Sequence, residues 1–176
     1  GTITWYVEML IRNFGVTARE VGPSFGWIFV FAGSAGAIVG GVAAERIGRH
    51  HRDAGLRVVA LAALLWILPG IAGPLMPSGE AALLMAVPIL FLMSSYFGPA
   101  IAALQTETPN EMRAVASALL LFSANLFGLG LGPPLVGALT THLLGGDDTL
   151  SLALALLAGV FAPLAAVTAA SGLRRQ

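Results

Sequence analysis

The sequence contains no cysteine and no lysine, and only 10% of its 176 residues are charged. Without cysteine there is neither a disulfide framework nor a thiolate metal site. An ordinary soluble domain carries about 25% charged residues, so a chain this poor in charge cannot cover a water-facing surface. A typical soluble enzyme domain and a disordered chain are therefore both excluded. The nine basic residues, all of them arginine, are balanced by nine acidic ones. That zero net charge removes the electrostatic footprint of a nucleic-acid binder. No nucleic-acid partner and no cofactor are expected.

What the sequence does have is apolar length. Hydrophobic residues make up 57% of the chain, and mean hydropathy is +0.86. A helix rises about 1.5 Å per residue and the hydrocarbon core is about 30 Å thick, so a crossing needs about 20 uncharged residues. Five such runs occur, at 21–44, 58–76, 81–104, 114–139 and 150–173. Short stretches at 45–57, 77–80, 105–113 and 140–149 hold almost all the charge and much of the turn chemistry, and they read as loops.

Residues 2–13 also show helical spacing, with Ile3, Tyr6, Val7, Leu10 and Ile11 apolar, but they are too short to span. They form either an interfacial helix or the end of a spanning helix whose first turns are absent. The start on Gly1, with no leader pattern, favours the second. Two capping boxes are expected, at Thr17 to Glu20 and at Thr108 to Glu111, with Pro109 in a first turn. The expected fold is an all-α polytopic membrane bundle with helices at about 1–13 (partial), 20–45, 55–76, 81–104, 109–140 and 149–173.

Orientation follows from arginine, which is retained on the cytoplasmic side. Arg46, Arg49, Arg52, Arg57, Arg113, Arg174 and Arg175 fall in segments that share one side; Arg12 and Arg19 fall on the other, where the last loop carries Asp147 and Asp148. Both ends of the bundle are then expected in the cytoplasm, in an integral multi-pass protein of a bacterial inner membrane. Six helices with both ends inside make half of a twelve-helix transporter plan.

Helices in lipid associate through small residues and interhelical hydrogen bonds. Gly36 and Gly40 form a G-x-x-x-G pair, with Ala32, Gly33, Ala37 and Gly41 on adjoining stripes. Gly128 and Gly132 form another, followed by Pro133 and Pro134, where lost amide donors predict a kink or local unwinding. The run Gly128-Leu129-Gly130-Leu131-Gly132 is no dinucleotide loop, because neither a preceding strand nor a βαβ unit is present.

Chemistry-bearing residues are sparse. His50, His51 and His142 fall in loops, no span interior holds an acid, and no metalloprotease or nucleophile-elbow motif occurs. Neither an enzyme nor a metal site is expected. Polar groups at membrane depth need a partner or an aqueous cavity. Ser34, Ser94, Ser95, Tyr96, Ser123 and Asn125 qualify, and the partial first helix adds Trp5, Tyr6 and Glu8. Asn125 fits an interhelical bond or a cavity equally well. Glu8 and Arg12 have the spacing of a helical ion pair. Trp5, Tyr6, Glu8, Ser94, Tyr96 and Asn125 are the candidates for a substrate cavity.

The run from Gly41 to His51, GVAAERIGRHH, resembles the cytoplasmic signature of the major facilitator superfamily, G-x-L-A-D-R-x-G-R-R, as it recurs after the eighth helix. Gly41, Ala44, Arg46, Gly48 and Arg49 match, while Glu45 replaces the usual Asp and Ala43 the usual Leu. The resemblance implies a cytoplasmic gate built on Gly41, Glu45, Arg46, Gly48 and Arg49. Residues 105–119, 125–133 and 12–22 are similar to the spinster-like branch, so the chain resembles helices seven, in part, to twelve: the C-terminal half of such a transporter.

The branch is linked to export of lysolipids and sphingolipid-type amphiphiles in animals. The resemblance thus implies a secondary transporter of a small organic or amphiphilic solute, whose partners are the bilayer, the substrate and an N-terminal half. The family's proton-coupling residues lie in that other half. A membrane scaffold or assembly subunit that transports nothing is the alternative.

Overall fold

The computed structural model describes residues 2–51, 53–143 and 149–173. Arg52, Asp147, Asp148, Arg174 and Arg175, all used in the orientation argument, lie outside the described residues. Every element among the described residues is a helix: α1 (Thr2–Phe14), α2 (Ala18–Gly48), α3 (Ala54–Ala72), α4 (Gly79–Ser95), α5 (Phe97–Glu107), α6 (Arg113–Asn125), α7 (Gly132–Ala138) and α8 (Leu150–Leu173). Short 3-10 turns extend α3 and precede α6, and π turns occupy Leu126–Gly130 and Leu139–Leu143.

Five segments are long and apolar enough to cross a bilayer: Ala18–Gly48, Ala54–Leu75, Gly79–Glu107, Asn110–Thr141 and Leu150–Gly172. They overlap the five expected spans, with two internal breaks. The third span divides at Tyr96, whose backbone (φ −91°, ψ −19°) separates α4 from α5 just before Gly98 and Pro99. The fourth opens into a π turn at 126–130 ahead of Gly132, Pro133 and Pro134, where unwinding is expected.

Local chemistry explains where the helices begin. The Glu20 carboxylate accepts from the Thr17 N–H at 3.0 Å and from its hydroxyl at 2.9 Å, so the acid reaches back over the α2 start. The second expected box, at Thr108, does not form. Proline restricts the residue before it to extended backbone, and Thr108 (ψ 131°) ends α5 instead of starting a helix. Its hydroxyl donates back to the Leu104 carbonyl at 2.6 Å. Ser78 caps α4 by accepting from the Ala81 N–H at 3.3 Å.

Two tight helix pairings hold the bundle, α3 with α8 and α2 with α4, and α3 also meets α4 and α5. Small residues make both possible. A Cβ on Gly36 would overlap the Phe91 carbonyl and one on Gly40 the Ser95 carbonyl, so α4 lies directly on the α2 backbone. Along α8 the buried stripe is Ala158, Ala162, Ala166 and Ala169, a spacing of three to four that gives one smooth face. The short α1 wedges against α2, α4 and α8, and its Tyr6, Met9 and Leu10 join Phe25, Ala86, Ile89, Leu90 and Leu154 in the core.

The fourth span stands apart. Its most apolar stretch has no buried residue, whereas the other four bury 22% to 39% of theirs. α6 leans on α5, while α7 and the π turn that follows it reach α8.

Candidate functional site

The signature run closes α2 and turns toward α3. Glu45 and Arg49 are one helical turn apart, and the Arg49 Nη2 lies 3.2 Å from the Glu45 Oε1, with both side chains 70% exposed. Such an exposed pair contributes little to stability. Arg46 is exposed and makes no side-chain contact to an acid among the described residues. Among the described residues, then, the acid and arginines of the motif bridge to no neighbouring helix. Gly41 has nothing within 4 Å of the position its Cβ would take, and at Gly48 the nearest atom is the Ala54 Cβ at 3.6 Å. Neither glycine is demanded by contacts made here. Both line a cavity of about 500 Å³ with Glu45, His51, Gly55 and Thr106 at the same end of the bundle.

The six cavity candidates do not converge. Tyr6, expected to line a cavity, is 2% exposed in the core, and its hydroxyl donates to the Ala82 carbonyl at 2.6 Å, tying α1 to α4. Gly73 makes room for that hydroxyl, since a Cβ there would come within 2.8 Å of it. Trp5 is half-buried, with an indole nitrogen that finds no acceptor among the described residues. Glu8 pairs with Arg12 along α1 at 2.6 Å. Ser94 is half-buried beside Gly33 on the α2 side of α4. Tyr96, two residues on, turns to a different cavity, shared with Val59, Met93 and Ala162. Asn125 is exposed on α6, and its Nδ2 donates to the Leu121 carbonyl at 2.8 Å on its own helix and not across to a neighbour.

The glycines of the fourth span are also placed differently from those of the second. A Cβ on Gly128 would meet nothing within 4 Å, so no backbone presses there. The π turn widens the helix at this point, and Gly128 and Gly132 line a cavity of about 360 Å³ while Pro133 enters the first turn of α7.

Two features escaped the reading of polar residues. Trp27 and Phe31 stack at 5.6 Å with ring planes 20° apart. Exposed by 63% and 68%, they edge an apolar groove of about 580 Å³ between α2 and α4 that includes Ala35, Pro88 and Phe91. Their four-residue separation is the signal that could have revealed them. Trp66, with its neighbour Phe161, stands between two further cavities. Among the described residues no group of three or more His, Asp or Glu gathers as metal ligands would.

A protein of Mycolicibacterium smegmatis (strain ATCC 700084 / mc(2)155) described as an MFS-type efflux pump is 33% identical to this chain over 165 residues. The match covers 88% of the chain and 36% of the relative, so the chain spans about a third of that protein's length. No family model matches the chain, and no solved structure matches it. Together with five helices able to cross a bilayer, the likeness supports an integral multi-pass membrane protein.

Proposed function

Homology to an MFS-type efflux pump supports a place for this chain in the major facilitator superfamily, and from that premise we propose that it is the C-terminal half of a secondary transporter. It exports a small organic or amphiphilic solute by rocking against an N-terminal half, with its arginine-rich ends in the cytoplasm. The likeness of residues 105–119 and 125–133 to the spinster-like branch favours an amphiphilic cargo.

The observation that carries this reading is the homology itself, which runs through most of this chain yet through 36% of the relative. The signature run fits it. Among the described residues Glu45, Arg46 and Arg49 bridge to no other helix, as expected of a latch whose second face belongs to the other half. The stacked Trp27 and Phe31 and the unburied apolar stretch of the fourth span likewise leave apolar surface for that half and for solute.

The test uses the full-length transporter and the neutral amphiphile Nile red. Cells expressing it retain less dye than control cells, and Arg46→Ala returns retention to the control level while the protein still inserts in the membrane. Unchanged efflux in Arg46→Ala would remove the gate, and dye retention equal to the control in the unaltered protein would count against export of neutral amphiphiles.

A further inference from the structure

The arginine-bearing end of α3 joins one cation to a row of leucines. Arg57 stands in the first turn of the helix, and Leu61, Leu64, Leu65 and Leu68 follow it at i+4, i+7, i+8 and i+11, which sets all five on one face. That face looks away from the bundle: the four leucines are 54% to 77% exposed, while the other sides of α3 meet α2, α4, α5 and α8. From Arg57 to Leu68 the helix rises about 16 Å, close to one leaflet of a hydrocarbon core about 30 Å thick.

The Arg57 guanidinium is loosely held. Its Nη2 lies 3.8 Å from the Asp53 Oδ2, beyond hydrogen-bond length, and no other acceptor meets it among the described residues. The Arg57 side chain is 41% exposed and that of Asp53 19%, so this end of the face presents the cation more than the acid. The Nε is buried and out of reach, which leaves the terminal Nη groups to act. Alongside, a Cβ on Gly172 of α8 would lie 3.4 Å from Leu56, so the end of α8 flanks this turn. The sequence continues beyond that helix end with Arg174 and Arg175, two further positive charges against one carboxylate.

A guanidinium fork matches a phosphate, and acyl chains match exposed leucine. Another helix is a poor match, because helices in lipid approach through small residues and this row has none. We propose that the α3 face from Arg57 to Leu68 binds an anionic phospholipid, its phosphate on the Arg57 Nη groups and an acyl chain along the leucines. The excess of positive charge selects a lipid of net negative charge over a zwitterion. The site stands without the transport reading.

The test is native mass spectrometry of this chain in detergent, titrated with phosphatidylglycerol and with phosphatidylcholine of the same acyl chains. The first phosphatidylglycerol is expected to bind about tenfold more tightly than phosphatidylcholine. Arg57→Gln removes that preference and leaves phosphatidylcholine binding unchanged, which shows the leucine row intact. Arg113→Gln, which removes an equal charge from a segment assigned to the same side, keeps the preference. Glycerophosphoglycerol, the headgroup without chains, competes poorly. Equal affinity for the two lipids, a preference that survives Arg57→Gln, or an equal loss in Arg113→Gln would overturn the site, the last in favour of diffuse surface charge. Full competition by the bare headgroup would also overturn it, leaving an anion site with no lipid on the leucines.

Discussion

The Tyr6 hydroxyl and the Asn125 amide show how differently two polar groups in apolar helices are satisfied. Tyr6 reaches 76 positions along the chain to the Ala82 carbonyl, buried on all sides. Asn125 reaches back one turn to Leu121 and stays exposed. Sequence reasoning marks both as needing a partner, and that need is real. It cannot choose the partner, because every side chain in a helix already has its own backbone carbonyls within reach. One consequence is measurable: Tyr6→Phe should lower stability by about 0.5–1.5 kcal/mol in reversible unfolding from mixed micelles, the net value of one buried hydrogen bond. Asn125→Leu should leave it unchanged, and equal effects would refute the distinction.

At the scale of helices, apolar length made the five spans legible, and the capping acid Glu20 fixed one of their starts. The Gly36 and Gly40 pair was legible too, because only a bare backbone allows another helix so close, and α4 lies there. The breaks were harder. Gly98-Pro99 and Gly132-Pro133-Pro134 signal lost amide donors, but whether the strain emerges as a π turn, or as a break two residues ahead of Gly98 at Tyr96, depends on what packs alongside. The alanine stripe of α8 was passed over for a related reason, since alanine is common in any apolar helix and only contact with α3 gives it meaning. Neighbouring glycines offer a sharp comparison. Gly40→Leu drives a side chain into the Ser95 backbone and should cost about 1–3 kcal/mol or part α2 from α4; Gly41→Leu enters open space and should leave thermal unfolding of this chain unchanged. In the full-length transporter proposed above the order reverses in meaning, and Gly41→Leu should impair efflux despite normal stability. Loss of stability in both variants would remove Gly41 from the gate.

For the whole molecule, the charge asymmetry carries more than any single contact. Seven of the nine arginines fall on segments assigned to one side, and the described helix ends follow that alternation, with the signature run and the start of α3 together and the starts of α2, α4 and α8 opposite them. Which side faces the cytoplasm is a property of the membrane and lies beyond a helix bundle's own geometry, so the assignment rests on arginine retention. The transport proposal depends on it, because a gate at Glu45, Arg46 and Arg49 closes the cytoplasmic side only if that end is inside.

The absence of cysteine makes the decisive measurement clean. His50→Cys and Ser78→Cys, introduced singly into the otherwise cysteine-free chain, are exposed to a membrane-impermeant maleimide in intact cells and again after lysis. The account predicts that Cys at 78 reacts in intact cells while Cys at 50 reacts only after lysis. Labelling of position 50 from outside, or reaction of both positions in intact cells, would contradict it.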